Sequence, residues 1–273
     1  MKQAWVVALR EMRMGFRNPW AYTYILIFAL FMMTLLMIHA QGYVKGYSST
    51  TATTLNLVLY LLPLMTLMLG SFSLTGEKEE GSWDLLASYP LSTVSYLMGK
   101  YGGLMIVLLV IISLGFGAAG VLGFFAGTGF RGETYAALFA FAVSIALTFL
   151  ALALLAGTLA ASRWQALAFA VAIWFFLVIA WAPILIALLG FLPYAWIRPA
   201  VTLLTLLNPA ELARLFTVVR LGGGAVLGPE YYDWVQWIRE PAGVLMYAVF
   251  LIVWIGAILG IAHLLWERGR GRG

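Results

Sequence analysis

The side chains best suited to chemistry crowd into one stretch, Glu77–Lys78–Glu79–Glu80–Gly81–Ser82–Trp83–Asp84, which holds four acids and a lysine. Two carboxylates in contrasting environments can share general acid–base work, but these lie between apolar runs and not within one. The serines and tyrosines have no base beside them in sequence. A Gly-x-x-x-x-Gly-Lys-Ser/Thr phosphate loop is absent, and so is a His-Glu-x-x-His metal helix. With no cysteine, disulfides and thiolate metal sites are excluded. Met32, Met33, Met37, Met65 and Met68 offer thioethers to a soft cuprous ion, yet flexible apolar side chains that fill irregular helix contacts account for them as well. His39 and His263 lie too far apart in the inferred topology to form one site. The expectation is a chain without catalytic residues, metal ligands or a cofactor of its own.

What must position such residues follows from composition. Of 273 residues, 63% are hydrophobic and 10% charged, against roughly 25% charge in an ordinary soluble domain. Charge-free runs at 20–39, 54–75, 101–126, 135–160, 166–189 and 244–266 are each long enough to cross a hydrocarbon core. An all-α, polytopic membrane protein of six transmembrane helices is predicted. With the N-terminus inside, Lys2, Arg10, Arg13, Arg17, Lys78, Lys100, Arg163, Arg268, Arg270 and Arg272 fall on the cytoplasmic side, and the short outer loops keep only Lys45 and Arg131. Both termini are then cytoplasmic, in a multi-pass protein of the inner or plasma membrane. The net charge of +5 is dispersed rather than clustered, which argues against nucleic acid.

Ahead of the first span, Trp5, Leu9, Met12 and Phe16 recur at helical spacing opposite Arg10, Arg13 and Arg17. That pattern predicts an elbow helix over residues 1–19, lying on the inner surface with its arginines near lipid phosphates; a plain extension of the first span is the alternative. Gly115, Gly117, Gly120, Gly123, Gly127, Ala153, Gly157, Gly256 and Gly260 permit close helix packing. Pro63 and Pro183 bend their spans, as static kinks or as hinges.

The polar segment 76–100 stays in water, because its acids cannot enter lipid. Gly81 and Pro90 bracket a helix of about two turns with Ser82 as N-cap, and Trp83, Leu85, Leu86 and Tyr89 give it an apolar face. That face either packs on its own bundle or docks to another protein. The long connection 190–241 is expected outside, with a helix started by Asn208–Pro209, a possible Glu211–Arg214 pair, and a glycine break at 222–224. Tyr231, Tyr232, Trp234 and Trp237 suit the interfacial belt.

Glu77–Lys78–Glu79–Glu80–Gly81–Ser82–Trp83–Asp84–Leu85–Leu86, followed by Tyr89–Pro90–Leu91 and Gly99–Lys100, resembles the cytoplasmic loop of permeases in the type-2 ABC exporter (ABC-2) family. It departs from the family at Trp83–Asp84, where threonine or serine and glutamate are commoner. The resemblance extends to the elbow, the six spans and the short helices before the last, so it implies one permease domain over 1–273. It further implies a homodimer with two copies of a separate ATP-binding subunit, which holds the ATP and magnesium. Glu77, Glu79, Glu80, Gly81, Trp83, Asp84, Leu85, Leu86 and Tyr89 would form the coupling segment, with Leu85 and its apolar neighbours giving most of the affinity and the acids meeting basic groups at the cleft rim. Leu207–Asn208–Pro209–Ala210–Glu211–Leu212–Ala213–Arg214–Leu215 is similar to the permeases of nitrous oxide reductase maturation transporters, which implies an extracytoplasmic maturation partner. A membrane anchor without a translocation path, or an exporter of a lipid, peptide or drug-like compound, remains as the alternative.

Overall fold

The computed structural model describes residues 2–17, 19–40, 49–81, 92–125 and 132–270, all of whose regular elements are helical. In chain order these are α1 (Lys2–Arg17), α2 (Pro19–Ala40), α3 (Ser49–Glu79), α4 (Thr93–Phe125), α5 (Gly132–Leu159), α6 (Arg163–Trp174), α7 (Trp181–Phe191), α8 (Tyr194–Leu207), α9 (Pro209–Arg220), α10 (Tyr232–Arg239) and α11 (Gly243–Arg270). Among the described residues α3, α4, α5, the α6–α7 run and α11 are each long and apolar enough to cross a membrane. The apolar α2, 22 residues long, coincides with the first crossing that the sequence predicts. The protein is thus an all-α polytopic membrane protein.

α5 is the central column. It packs along α3 on one side and α11 on another, and Phe141, Ile145, Phe149, Leu150 and Ala153 are buried along its length. A helix apolar all round with so much of its surface covered belongs to the interior of a bundle. Outside it, the α6–α7 run keeps few buried residues, and Trp164, Phe175, Phe176 and Ile186 are exposed.

Two expected spans have different limits. α3 continues to Glu79 and α4 starts at Thr93, taking Lys100 inside the helix. Splitting the chain at charges cut these helices short, because their ionic groups are paired within the protein. Around Pro183 the outer run does not simply kink: Phe175–Ala180 is wound as π-helix between α6 and α7. Proline has no N–H for the Ile179 carbonyl and its ring crowds that oxygen, so a locally wider winding relieves the clash.

The connection 190–241 is more ordered than a surface loop. α8 and α9 form an apolar pair bent by 108° at Asn208, the geometry of a broken span or re-entrant hairpin. Trp234 is buried, so it packs inside the fold rather than serving a lipid belt; it meets edge-to-face the half-buried Trp237, which in turn meets Phe250 of α11. Gly256 and Gly260 have nothing within contact of an added Cβ, whereas Gly115 lies against Phe28 and Gly157 against Leu74.

Candidate functional site

The last turn of α3 holds together nearly every element on one face of the bundle. Glu77 is buried, and its Oε1 accepts from Arg10 of α1 at 3.1 Å and from Lys100 of α4 at 3.1 Å. The Tyr96 hydroxyl donates to its other oxygen. The Lys100 ammonium, with no exposed side-chain surface, also reaches Glu11 of α1 at 2.9 Å, and Ser73 donates to that second carboxylate. Two acids and two bases from three helices therefore form one cluster, buried at Glu11, Glu77 and Lys100 and reached from the half-exposed side by Arg10, in which every carboxylate oxygen has a donor. Such a group costs much to bury and more to break, since removing one partner strands the others.

Packing places α1 there. The face it turns to α4 is neither the Trp5–Leu9–Met12–Phe16 stripe nor the arginine side, but a third one made of Val7, Ala8, Glu11 and Gly15, all buried. Gly99 and Gly103 admit it, because a Cβ on either would stand 2.5 Å from the Ala4 carbonyl or 2.7 Å from that of Ala8. Of the expected elbow residues, Trp5 is exposed and Leu9, Met12 and Phe16 are half-buried; Arg13 and Arg17 are exposed.

Neighbouring charges bind the same turn to the next helices. The Lys78 ammonium donates to the carbonyls of Gly157, Thr158 and Ala160 at 2.9, 2.9 and 2.7 Å, capping the C-terminus of α5 where unpaired carbonyls and helix dipole favour a cation. It also lies 5.1 Å from the centre of the Trp266 ring on α11. Glu79 accepts the Arg163 backbone N–H at 2.7 Å at the start of α6, while its other oxygen and Glu80 pair with the Arg163 guanidinium at 3.2 and 3.0 Å. That helix starts on the Ser162–Arg163–Trp164–Gln165 signature: the Ser162 hydroxyl accepts from Gln165 N–H, and Gln165 reaches back to Ala161 N–H.

Glu77 thus departs from the expectation of a rim contact to another subunit; it is an internal ion. Glu79 and Glu80, also expected at the rim, are already held by Arg163, with Glu80 mostly exposed. Gly81 follows with φ +67°, a left-handed turn that suits glycine and ends α3. Trp83, Asp84, Leu85, Leu86 and Tyr89 lie outside the described residues. Sequence reasoning passed over Glu11, Ser73 and Tyr96, gave Arg10 to lipid phosphates and left Lys100 in the cytoplasmic loop, where the structure pairs both with buried carboxylates. A signal was present: Glu11 is the one acid before Glu77 and has Val7, Ala8 and Gly15 at helical spacing, while Lys100 is set between Gly99 and Gly103.

Away from the ion cluster, Asn208 does two jobs. Its Oδ1 accepts from Ala210 and Glu211 N–H at 3.0 and 3.3 Å, capping α9 behind Pro209. Its Nδ2 donates 2.8 Å to the Leu177 carbonyl in the π segment. Trp254 of α11 donates to the Leu206 carbonyl at 2.9 Å, so this carbonyl beside the bend is paired within the protein. Glu211 and Arg214 pair, with Nε to Oε2 at 3.0 Å. Burial raises the Tyr231 hydroxyl above its ordinary range, and the Glu211 carboxylate adds to this.

None of this is a reaction centre. Among the described residues no three His, Cys, Asp or Glu side chains are grouped to hold a metal. The clustered carboxylates are committed to structural cations. What the arrangement can do is mechanical: both flanks of the segment between Gly81 and Ser92 are anchored, and four helices meet at one anchor.

Residues 5–268 match the family described as ABC-2 family transporter protein. Two similar relatives carry the name probable ABC transporter permease protein NosY. That of Stutzerimonas stutzeri is 29% identical over 277 residues and that of Pseudomonas aeruginosa 31% identical over 283, each alignment covering 98% of this chain and 99% of the relative.

Proposed function

The chain belongs to the ABC-2 transporter family, and we propose that it works as the membrane half of a transporter whose 82–91 segment seats in a cleft of a separate ATP-binding subunit. As an ABC transporter permease it is a transport protein and not an enzyme; hydrolysis of magnesium-bound ATP falls to that subunit, present in two copies around a permease homodimer. Residues 82–91, both termini and the 160–162 turn lie on the cytoplasmic side in this reading.

One observation carries it: the turn that leads into 82–91 is fastened through buried ions to α1 and α4 and through Lys78 and Arg163 to the α5–α6 junction. A push on a loose loop would be lost in bending; a push on this one must move four helices. Within the segment, Leu85, Leu86, Trp83 and Tyr89 supply affinity by leaving water, while exposed acids add little. The test co-expresses the chain with an ATP-binding subunit that co-purifies with it and compares Leu85→Asp with Glu80→Gln. Leu85→Asp is expected to lose the ATPase or its permease-dependent activity, and Glu80→Gln to keep most of both. Normal coupled hydrolysis in Leu85→Asp would refute the docking mode.

A narrower reading is favoured by the full-length similarity to the NosY permeases and by the Asn208–Pro209 bend. In it the opposite face, built from α8 to α10, meets an extracytoplasmic partner that assembles a copper enzyme. Deleting the gene and assaying copper in nitrous oxide reductase tests it; full copper content would leave the general exporter reading in its place.

A further inference from the structure

The chain from α6 into α8 is held very unevenly. α6 packs along α3; Arg163 at its start is paired with Glu79 and Glu80, and the Trp174 indole at its end donates to the Tyr60 carbonyl at 2.8 Å. Asn208 then fastens the Leu177 carbonyl in the π segment. α8 is fixed again from Val201 onward, since Val201 and Thr205 are fully buried and Trp254 holds the Leu206 carbonyl. Between these two fixed limbs lie residues 181–198, and among them Leu185 alone is buried. Ile186, Phe191, Tyr194 and Trp196 are all exposed.

Each end of this segment is a place where helical bonding is interrupted. At one end Phe175–Ala180 is wound as π-helix. At the other, Pro199 lies inside α8, where it has no N–H for the Ala195 carbonyl and its ring crowds that oxygen. Helical elements pivot at such breaks, because a few residues there absorb the change in φ and ψ. The Trp181 ring meets Phe176 edge-to-face across the first break, and its indole N–H is buried without an acceptor. A buried donor left unpaired is costly, so the segment is not locked in the position seen here.

Beside the segment is a cleft of about 230 Å³, with Tyr194, Ala195, Ile197 and Arg198 on one wall and Pro229 and Glu230 on the other. Among the described residues Arg198 has no carboxylate within ion-pair distance, and one Glu230 oxygen lies against Gly228.

We propose that residues 181–198 are a flap that pivots at 175–180 and at Pro199 and closes on the Pro229–Glu230 turn, pairing Arg198 with Glu230. Closing shuts the cleft and swings α7 while α6 and the rest of α8 stay in place. An exposed ion pair contributes little against water, so the open form seen here and the closed form coexist, and a ligand or partner that prefers one of them shifts the balance. The flap belongs to the permease by itself and does not rest on ATPase docking, since none of its residues is in 82–91.

The chain has no cysteine, so a trifluoromethyl label on one introduced cysteine of the full-length protein in nanodiscs can be followed by fluorine NMR. Phe191→Cys places it at the tip of the flap and Leu203→Cys beyond Pro199, both at exposed positions. The label at 191 is expected to report two environments and the label at 203 one. Arg198→Gln and Glu230→Gln, at an exposed and a half-buried position, should each deplete the same environment at 191 about two- to fivefold relative to the other, the weight of an exposed pair. Combining Arg198→Glu with Glu230→Arg should restore it. One environment at 191 at the same position in all these proteins, as a flap covered by a second copy would give, overturns the proposal. So does a ratio that neither glutamine variant changes, or the same two environments at 203.

Discussion

Lys100 on α4 and Glu11 on α1 meet at 2.9 Å with the lysine wholly buried, so a charge from the amphipathic N-terminal helix is the partner of a charge inside the third membrane helix. The first prediction follows from that pair. Lys100→Met leaves Glu11 and Glu77 buried with fewer donors and is expected to cost about 3–5 kcal/mol, read as a lower unfolding midpoint in detergent. Adding Glu11→Gln should recover part of the loss. A Lys100→Met protein that unfolds where the original does would show the cluster to be energetically idle.

Gly103→Val should displace α1 from α4, because an added Cβ stands 2.6 Å from that of Glu11 and 2.7 Å from the Ala8 carbonyl. Overpacking of this sort costs about 1–3 kcal/mol. Hydrogen exchange in residues 4–15 reports the contact directly: it should be slow in the original chain and faster in Gly103→Val. Equal exchange in both would contradict the close approach.

Lys78→Met removes the donor from the C-terminal carbonyls of α5, and Lys78→Arg restores one. Faster hydrogen exchange in residues 157–162 is expected for the first and near-original exchange for the second. If exchange there is the same in all three proteins, the lysine cap is not what holds that turn.

At Asn208 the two functions can be separated. Asn208→Asp keeps the oxygen that caps α9 but loses the donor to Leu177, whereas Asn208→Ala loses both. Loss of the cap alone is worth about 1 kcal/mol. Both variants should increase exchange in residues 175–180, and only Asn208→Ala should increase it at the start of α9. Unaltered exchange at 175–180 in Asn208→Asp would remove the link between bend and π segment.

Replacing Met33, Met37, Met65 and Met68 together by leucine should leave ATPase assembly and the copper content of a dependent enzyme unchanged, since volume and apolarity are nearly kept. Met65 is a buried core residue, as packing requires. Copper loss at normal protein abundance would instead favour a thioether route.

Much of this architecture can be read from hydropathy alone, because lipid forces backbone polar groups into helices and each crossing must be apolar for its full length. The same rule concealed the ion cluster. Treating every charge as a boundary put Glu77 and Lys100 in a loop, when neutralising partners at Glu11 and Arg10 let both remain in helices. Those partners are 67 and 89 residues away from the groups they serve, Arg10 from Glu77 (77 − 10) and Glu11 from Lys100, and local periodicity carries no information at that range. The Asn208 cap was legible because a cap is local; its bond to Leu177 was not. The π winding at 175–180 is implied by Pro183 only once the chain is known to continue as helix through the proline.

The ion cluster also sets an order of events during synthesis. Glu11, Glu77 and Lys100 all lie in the first 100 residues, so α1, α3 and α4 can neutralise one another before α5 has left the ribosome. Lys78 has no such early partner, since its acceptors are at 157–160. Until the fourth crossing is threaded, this ammonium must wait at the aqueous edge, and its arrival on the α5 carbonyls marks the joining of the later half to the earlier one.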